Sequence, residues 1–104
     1  MRYTVYVDEN SHYMDESERY TNGEFPTAEA ALAAAKKIVD DYLLSAHKPG
    51  MTAEQLWKSY AMWGEDPFII AVPKDPECKF SAWDYAKQRC RELCGDEPRA
   101  KADG

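Results

Sequence analysis

The densest group of side chains that could do chemistry lies in the polar loop from His12 to Glu18. His12 is followed there by several carboxylates, and imidazole nitrogen with carboxylate oxygen is a ligand set that divalent metals accept. An imidazole beside a carboxylate can also act as a general base, because the acid holds one tautomer in place. Besides a metal site and a general base, the loop can be interpreted as a solvated acidic loop without a ligand, since carboxylates are common on protein surfaces. The candidate binding residues are His12, Tyr13, Asp15, Glu16, Glu18 and Tyr20.

The sequence contains none of the motifs that would turn this segment into a recognised site. An EF-hand loop would need an Asp-x-Asp-x-Asp-Gly run, and the segment has none. The chain also lacks the G-x-S-x-G nucleophile elbow, the G-x-G-x-x-G turn and the Walker phosphate loop. We therefore assign no catalytic residue, no metal ligand and no cofactor from the sequence.

The three cysteines are a second group with potential chemistry. Cys90 and Cys94 lie four residues apart on a predicted helix, where two thiolates can share a metal. Cys78 and one histidine, either His47 or His12, would complete four ligands. Both helical cysteines, however, fall on the apolar side of that helix, and no CxxC pair accompanies them. The sequence therefore favours buried, reduced thiols over a metal site or a disulfide.

Aromatic residues form two groups with different predicted roles. Trp57, Tyr60 and Trp63 share one side of a predicted helix and are interpreted as core, with a ligand-binding platform as the alternative. A second group has acidic or polar surroundings: Tyr13, Tyr20 and Tyr85. These tyrosines predict a contact surface for a basic or aromatic partner. Two further acids, Glu65 and Asp66, are expected at the mouth between the second helix and the last strand.

Length and charge limit the classes of protein open to the chain. Its 104 residues fit one domain, predicted over residues 1–95 with a flexible tail at 96–104. The net charge of −6 includes no net basic segment, which excludes a nucleic-acid binder. The longest apolar run, residues 68–72, is far shorter than the roughly 20 residues that cross a bilayer. With no signal peptide and an odd number of cysteines, the chain is expected in a reducing cytoplasm.

Three strands are predicted from alternating and apolar runs, at residues 2–8, 19–25 and 68–72. Asn22 and Gly23 are expected to interrupt the second strand with a β-bulge, where glycine would supply a positive φ. The third strand lies between two prolines and is predicted to be buried on both faces.

Three helices are predicted from their 3.6-residue periodicity and their end signals. The N-caps are Thr27, Thr52 and Ser81, and the stop signals are Pro49, Gly64 and Gly95. The resulting order, ββααβα, predicts an α+β domain of about three strands covered on one side by three helices. The connection through two helices is long enough for the second and third strands to run parallel.

Three runs of sequence resemble a family of small bacterial proteins of unknown function. They are VDENSHYMDE at residues 7–16, GEDPFI at 64–69 and FSAWDYA at 80–86. The resemblance implies a bacterial cytoplasmic setting and no particular activity, so it transfers no functional residue.

Two hypotheses for function follow from these observations. The first is a non-enzymatic cytoplasmic interaction module that binds a protein partner through the acidic, tyrosine-rich surface from His12 to Tyr20. The alternative is a protein that binds a small ligand or a divalent metal, with or without catalysis, through the segment from His12 to Glu18. Nucleic acid and membrane are not expected as partners, and self-association into a homo-oligomer is left open.

Overall fold

The computed structural model describes residues 2–10, 19–75 and 78–95, and it confirms the predicted α+β fold class and element order. The predicted tail at 96–104 lies outside the described residues. The elements are β1 (Arg2–Glu9), β2 (Tyr20–Phe25), α1 (Ala28–Ala46), α2 (Ala53–Trp63), β3 (Glu65–Val72) and α3 (Ala82–Leu93).

The three strands form one sheet with the order β2-β1-β3. β2 and β3 are both antiparallel to β1, so they run in the same direction with β1 between them. The connection through α1 and α2 therefore crosses over β1, as its length allows. The sheet brings the end of β1 against the start of β3, although these residues lie far apart in the sequence.

The predicted bulge in β2 is confirmed, but its reason is different. Val5 pairs with Gly23 while Tyr6 pairs with Thr21, which leaves Asn22 as the extra residue on β2. Gly23 does not have a positive φ. A Cβ at Gly23 would instead lie 3.3 Å from the ring of Phe25, so the glycine makes room for that ring.

The third strand differs from its prediction in both extent and burial. It begins at Glu65, three residues before the predicted start, and includes Pro67. A proline is accepted here because β3 is an edge strand, where a missing N–H need not break a ladder. The prediction of burial on both faces is wrong, since Ile70 is 47% exposed and Val72 50%. The physical reason is that the helices cover one face of the sheet, and outward residues of an edge strand then remain in solvent.

The helices begin at the predicted caps. The Thr27 hydroxyl accepts a hydrogen bond from the Ala30 backbone, and Ser81 caps α3 in the same way. Thr52 and Gln55 form a complete capping box, in which each side chain accepts a hydrogen bond from the other residue's backbone N–H. These local bonds fix where each helix starts.

The core consists of two clusters. Tyr3 and Val5 of β1 pack against Ala31 and Ala35 of α1, whose small side chains let the helix approach the sheet closely. The second cluster lies where the three helices meet, and its fully buried members include Val39, Leu43, Leu56, Tyr60 and Cys90. Within the described ranges, no helix is both long enough and apolar enough to cross a membrane.

Candidate functional site

The end of the sheet where β1 stops and β3 starts carries four carboxylates: Asp8, Glu9, Glu65 and Asp66. We refer to these four residues as the acidic end. Asp8 pairs with Asp66 across the two strands, and Glu9 pairs with Glu65 in the next position. Like charges directly opposite each other in a sheet repel and destabilise it. The strand pairing therefore places four negative charges at one end of the sheet.

Arg19 provides positive charge beside the acidic end. Its Nε lies 2.7 Å from Oδ1 of Asp8 and its Nη2 lies 3.2 Å from Oδ2, so the guanidinium binds both carboxylate oxygens. The guanidinium also lies over the Phe68 ring, 5.0 Å from its centroid. A bidentate contact and a ring contact together hold Arg19 in a defined position.

Tyr20 is the predicted site residue that the structure places at the acidic end. Its hydroxyl donates a hydrogen bond to Oε2 of Glu65 at 2.7 Å, and the residue is 42% exposed. Burial and the carboxylate of Glu65 raise the pKa of Tyr20 above its ordinary value. The phenol therefore stays protonated at neutral pH and acts as a donor, while part of the residue is open to solvent.

The Asp66 carboxyl is partly buried at the acidic end. Burial raises the pKa of Asp66, and the negative charge of Asp8 raises it further. A hydrogen bond involving the Trp83 side chain partly opposes this by stabilising the charged form. This carboxyl is therefore poorly solvated and close to a like charge.

Contacts between α2 and the sheet fix the acidic end in place. The Asn10 backbone N–H donates to the Gly64 carbonyl at 3.0 Å, and the Asn10 side chain donates to the Tyr60 carbonyl at 2.8 Å. The Tyr60 hydroxyl in turn donates to the Glu65 carbonyl at 2.6 Å. A side chain at position 64 would collide with the Tyr60 ring. Sequence reasoning identified Gly64 as a helix stop and missed both this role and that of Asn10.

The other predicted binding residues, His12, Tyr13, Asp15, Glu16 and Glu18, lie outside the described residues. The described residues on either side of them are Asn10 and Arg19. Both of these contact the acidic end or the helix that supports it. Glu65 and Asp66, which were expected at the mouth between the second helix and the last strand, are the first two residues of β3.

Tyr85, the third tyrosine of the predicted contact surface, makes a contact within the protein. Its hydroxyl lies 3.0 Å and 2.9 Å from the two carboxylate oxygens of Asp40, to which Arg89 also donates at 2.9 Å. This half-buried network joins α1 to α3. The helical periodicity of α3 predicted that Tyr85 points away from the apolar side. On this other side of the helix, Tyr85 contacts Asp40 of α1 through a hydrogen bond.

The aromatic stripe on α2 is core along only part of its length. Tyr60 is fully buried, and Trp57 is half-buried with its ring centroid 5.2 Å from that of Trp83. Trp63, the last residue of α2, is 64% exposed, so its assignment to the core is wrong. The angle of a residue around the helix axis does not tell how far along that axis a neighbouring helix extends.

Cys78, Cys90 and Cys94 form no disulfide in the described part of the chain, and of the three only Cys90 is buried as predicted. Burial raises the pKa of Cys90 to about 11, with a smaller effect from Cys94. Burial and the charge of Asp75 raise the pKa of Cys78. Thiols with raised pKa values stay protonated at neutral pH and are poor nucleophiles.

A shallow cavity of about 520 Å³ lies between β1 and the start of α1. Tyr3 and Asp75 line it, and the Tyr3 hydroxyl donates to Oδ2 of Asp75 at 2.7 Å. This hydrogen bond raises the pKa of Tyr3 to about 12. The phenol is thus a protonated donor to Asp75 at neutral pH.

The carboxylates of the acidic end do not form a cation cage. Successive residues of a strand point to opposite faces, so the Asp8 and Asp66 pair and the Glu9 and Glu65 pair lie on different faces. Across residues 2–10, 19–75 and 78–95, no three histidine, cysteine or acidic side chains converge on a point that could hold a metal ion. The acidic end is therefore a charged rim rather than a closed site.

Compared with the known protein families, the curated proteins and the solved structures, the chain has no significant match.

Proposed function

We propose that this protein is a non-enzymatic interaction module whose acidic end binds a basic segment of a partner protein. The observation that carries the proposal is the position of four carboxylates on two consecutive cross-strand pairs, Asp8 with Asp66 and Glu9 with Glu65. Arg19 already pairs with Asp8, and a lysine or arginine from a partner would offset the charge of Asp66, which burial and Asp8 make unfavourable. Binding at this end would therefore gain more free energy than an ordinary surface ion pair.

The surroundings of Asp66 add to this gain. Its carboxyl is partly buried and close to Asp8, so the electrostatic attraction for an incoming cation is less screened than it would be in water. The contacts of Arg19 support this: its Nε and Nη2 donate to the two oxygens of Asp8, and its Cζ lies 5.0 Å from the centroid of the Phe68 ring. A partner arginine would use the same type of contact.

Two exposed aromatic rings supply apolar contact area beside the charges. Tyr20 donates to Glu65 and leaves part of its ring in solvent, and Trp63 precedes Gly64 and the acidic end in the chain. Tyrosine and tryptophan are enriched at protein interfaces, and their ring faces attract cations. These residues therefore support a basic partner over an apolar one.

Four supporting features are inferred from the sequence alone: the acidic residues between His12 and Glu18, the net charge, the cellular location and the resemblance to other proteins. The five candidate residues between His12 and Glu18 would enlarge the acidic surface, and the net charge of −6 would speed encounter with a basic partner. A cytoplasmic location and kinship with small bacterial proteins of unknown function are part of the same proposal. They follow from the odd cysteine count and from the three runs that carry the resemblance.

A charge-matched pair of double variants tests the proposal. The probe is a short peptide rich in lysine and arginine, titrated by calorimetry at low salt, with an acidic peptide of the same length as a negative control. Glu65→Gln with Asp66→Asn should weaken binding of the basic peptide about tenfold, since two of the four charges of the acidic end are lost. Asp41→Asn with Glu54→Gln removes the same charge from exposed faces of α1 and α2 and should change binding less than about twofold.

The comparison separates a local site from attraction by net charge. Equal weakening in the two double variants would mean that the whole negative surface attracts the peptide, which would overturn the proposal. Absence of binding to the unsubstituted chain at low salt would also overturn it. Circular dichroism of each variant confirms that the fold is intact.

A further inference from the structure

β3 is an edge strand with an apolar segment that nothing in the described part of the chain pairs along its outer side. The sheet order is β2-β1-β3, and β3 makes its ladder with β1. Residues 68–72 read Phe-Ile-Ile-Ala-Val and contain no charge and no proline. Ile70 and Val72 are about half exposed on this strand. An exposed apolar edge of this kind is a template for another strand.

The other edge of the sheet is protected. β2 has a bulge at Asn22, and charged residues, Arg19 and Glu24, lie along or beside it. Bulges and charges are the features by which sheets prevent strand addition at an edge. The contrast between the two edges points to β3 as the edge that accepts a partner.

We propose that the partner is a second copy of this chain, which pairs with β3 antiparallel about a two-fold axis at Ile70. In this register Ile70 faces its own counterpart, Ile69 faces Ala71, and Phe68 faces Val72. Opposite residues of a sheet share a face, so the two sheets become one and both helical layers lie on the same side. The contact is isologous, which closes the assembly at a dimer.

The sequence around Ile70 favours this register over neighbouring ones. Pro67 and Pro73 lie at equal distances on either side of Ile70, so the ladder uses the whole proline-free segment and ends at the same point in both copies. One residue beyond the prolines lie Asp66 on one side and Lys74 on the other, each four residues from Ile70. The same register therefore brings opposite charges together at each end of the ladder.

Charge substitutions at the two-fold axis test the proposal. The mass in solution is measured by light scattering after size exclusion, over a concentration series that reaches about 1 mM. The unsubstituted chain should approach the dimer mass. Ile70→Lys should shift the mass to that of a monomer, because it places two lysines opposite each other. Leu44→Lys is the matched control, since Leu44 is an exposed aliphatic residue on α1, and it should leave the dimer intact.

Mixing complementary variants tests the register. Ile70→Lys and Ile70→Glu should each be monomeric alone, and an equal mixture should recover the dimer, because the two charges face each other at the axis. A mixture that stays monomeric would overturn the Ile70-centred pairing. A wild-type monomer at every concentration, or a dimer that survives Ile70→Lys, would overturn the edge-strand dimer itself. If the position-70 variants lose their circular dichroism signal, Val72→Lys replaces them and should also give a monomer.

Discussion

Asp8 and Asp66 lie directly opposite each other on β1 and β3, and the Arg19 guanidinium binds both carboxylate oxygens of Asp8. Asp66 receives a hydrogen bond from the Trp83 side chain, and its pKa is nevertheless raised by burial and by Asp8. The fold therefore contains a carboxylate whose charge is unfavourable in the free protein. A group of this kind is stabilised by whatever brings positive charge to it.

We expect Asp66→Asn to stabilise the free protein by roughly 0.5 kcal/mol at about pH 7. The raised pKa means that protonated Asp66 stabilises the fold below the ordinary aspartate pKa, and that this stability is lost as the pH rises through the raised value. Asparagine removes the charge and keeps an oxygen that can accept from Trp83. At about pH 3 the difference should disappear, because the carboxyl is then protonated in both states. Urea unfolding at the two pH values measures the effect.

The control for this prediction is Asp41→Asn. Asp41 is exposed and pairs with Lys37 one turn earlier on α1, so its loss should be neutral or slightly destabilising at about pH 7. If Asp66→Asn destabilised the protein at that pH as much as the control or more, the carboxylate would not be under electrostatic strain.

Gly64→Ala should destabilise the protein by about 2 kcal/mol, since a Cβ at this position would overlap the Tyr60 ring and the Tyr60 carbonyl. The Tyr60 ring is fully buried, and the Tyr60 backbone carbonyl accepts a hydrogen bond from the Asn10 side-chain amide. Both contacts hold Tyr60 in place, so it cannot move away from an added Cβ without losing them. Gly50→Ala is a useful comparison. Gly50 has a φ of 83° and open space around it, so alanine there adds backbone strain alone, worth about 1 kcal/mol. An equal loss for both variants in thermal unfolding would contradict the close contact at Gly64.

Tyr85→Phe should destabilise the protein by about 1 kcal/mol at neutral pH, because it removes the hydroxyl that donates to Asp40 between α1 and α3. The loss should shrink at high pH. Burial and Asp40 raise the pKa of Tyr85 to about 12, so the protonated phenol stabilises the fold below pH 10 and this stability is lost as the pH rises toward 12. Unfolding free energies of the variant and the unsubstituted chain should therefore converge over that range. Curves that stay parallel from neutral to alkaline pH would show that Asp40 does not hold the proton on Tyr85.

The helix starts were predictable because their causes are local. Thr52 and Gln55 lie three residues apart, and their reciprocal hydrogen bonds can be inferred from spacing alone. The bulge in β2 was predictable for a similar reason, although Gly23 serves the Phe25 ring rather than a positive φ.

The candidate site was not predictable in the same way, because its geometry comes from strand order. Asp8 and Asp66 are brought together when β3 pairs with β1, and nothing near either residue indicates that pairing. Asn10 is equally non-local, since its side chain binds a carbonyl on α2. Periodicity also failed where a polar contact crosses between helices, as it does between Tyr85 and Asp40.

Zn²⁺, Mn²⁺ and Mg²⁺ are expected to leave the Tm unchanged to within about 1 °C at matched ionic strength, because a ligand must bind the folded state preferentially to stabilise it. In the described part of the chain the acidic end spreads its carboxylates over two faces, and no three potential ligands converge. A Tm that rises with metal concentration would instead support the alternative site between His12 and Glu18. In that case His12→Ala should abolish the rise and His47→Ala, at the only other histidine, should preserve it. The metal titration and the two histidine variants together distinguish an acidic surface that binds a partner's basic side chains from one that binds metal ions.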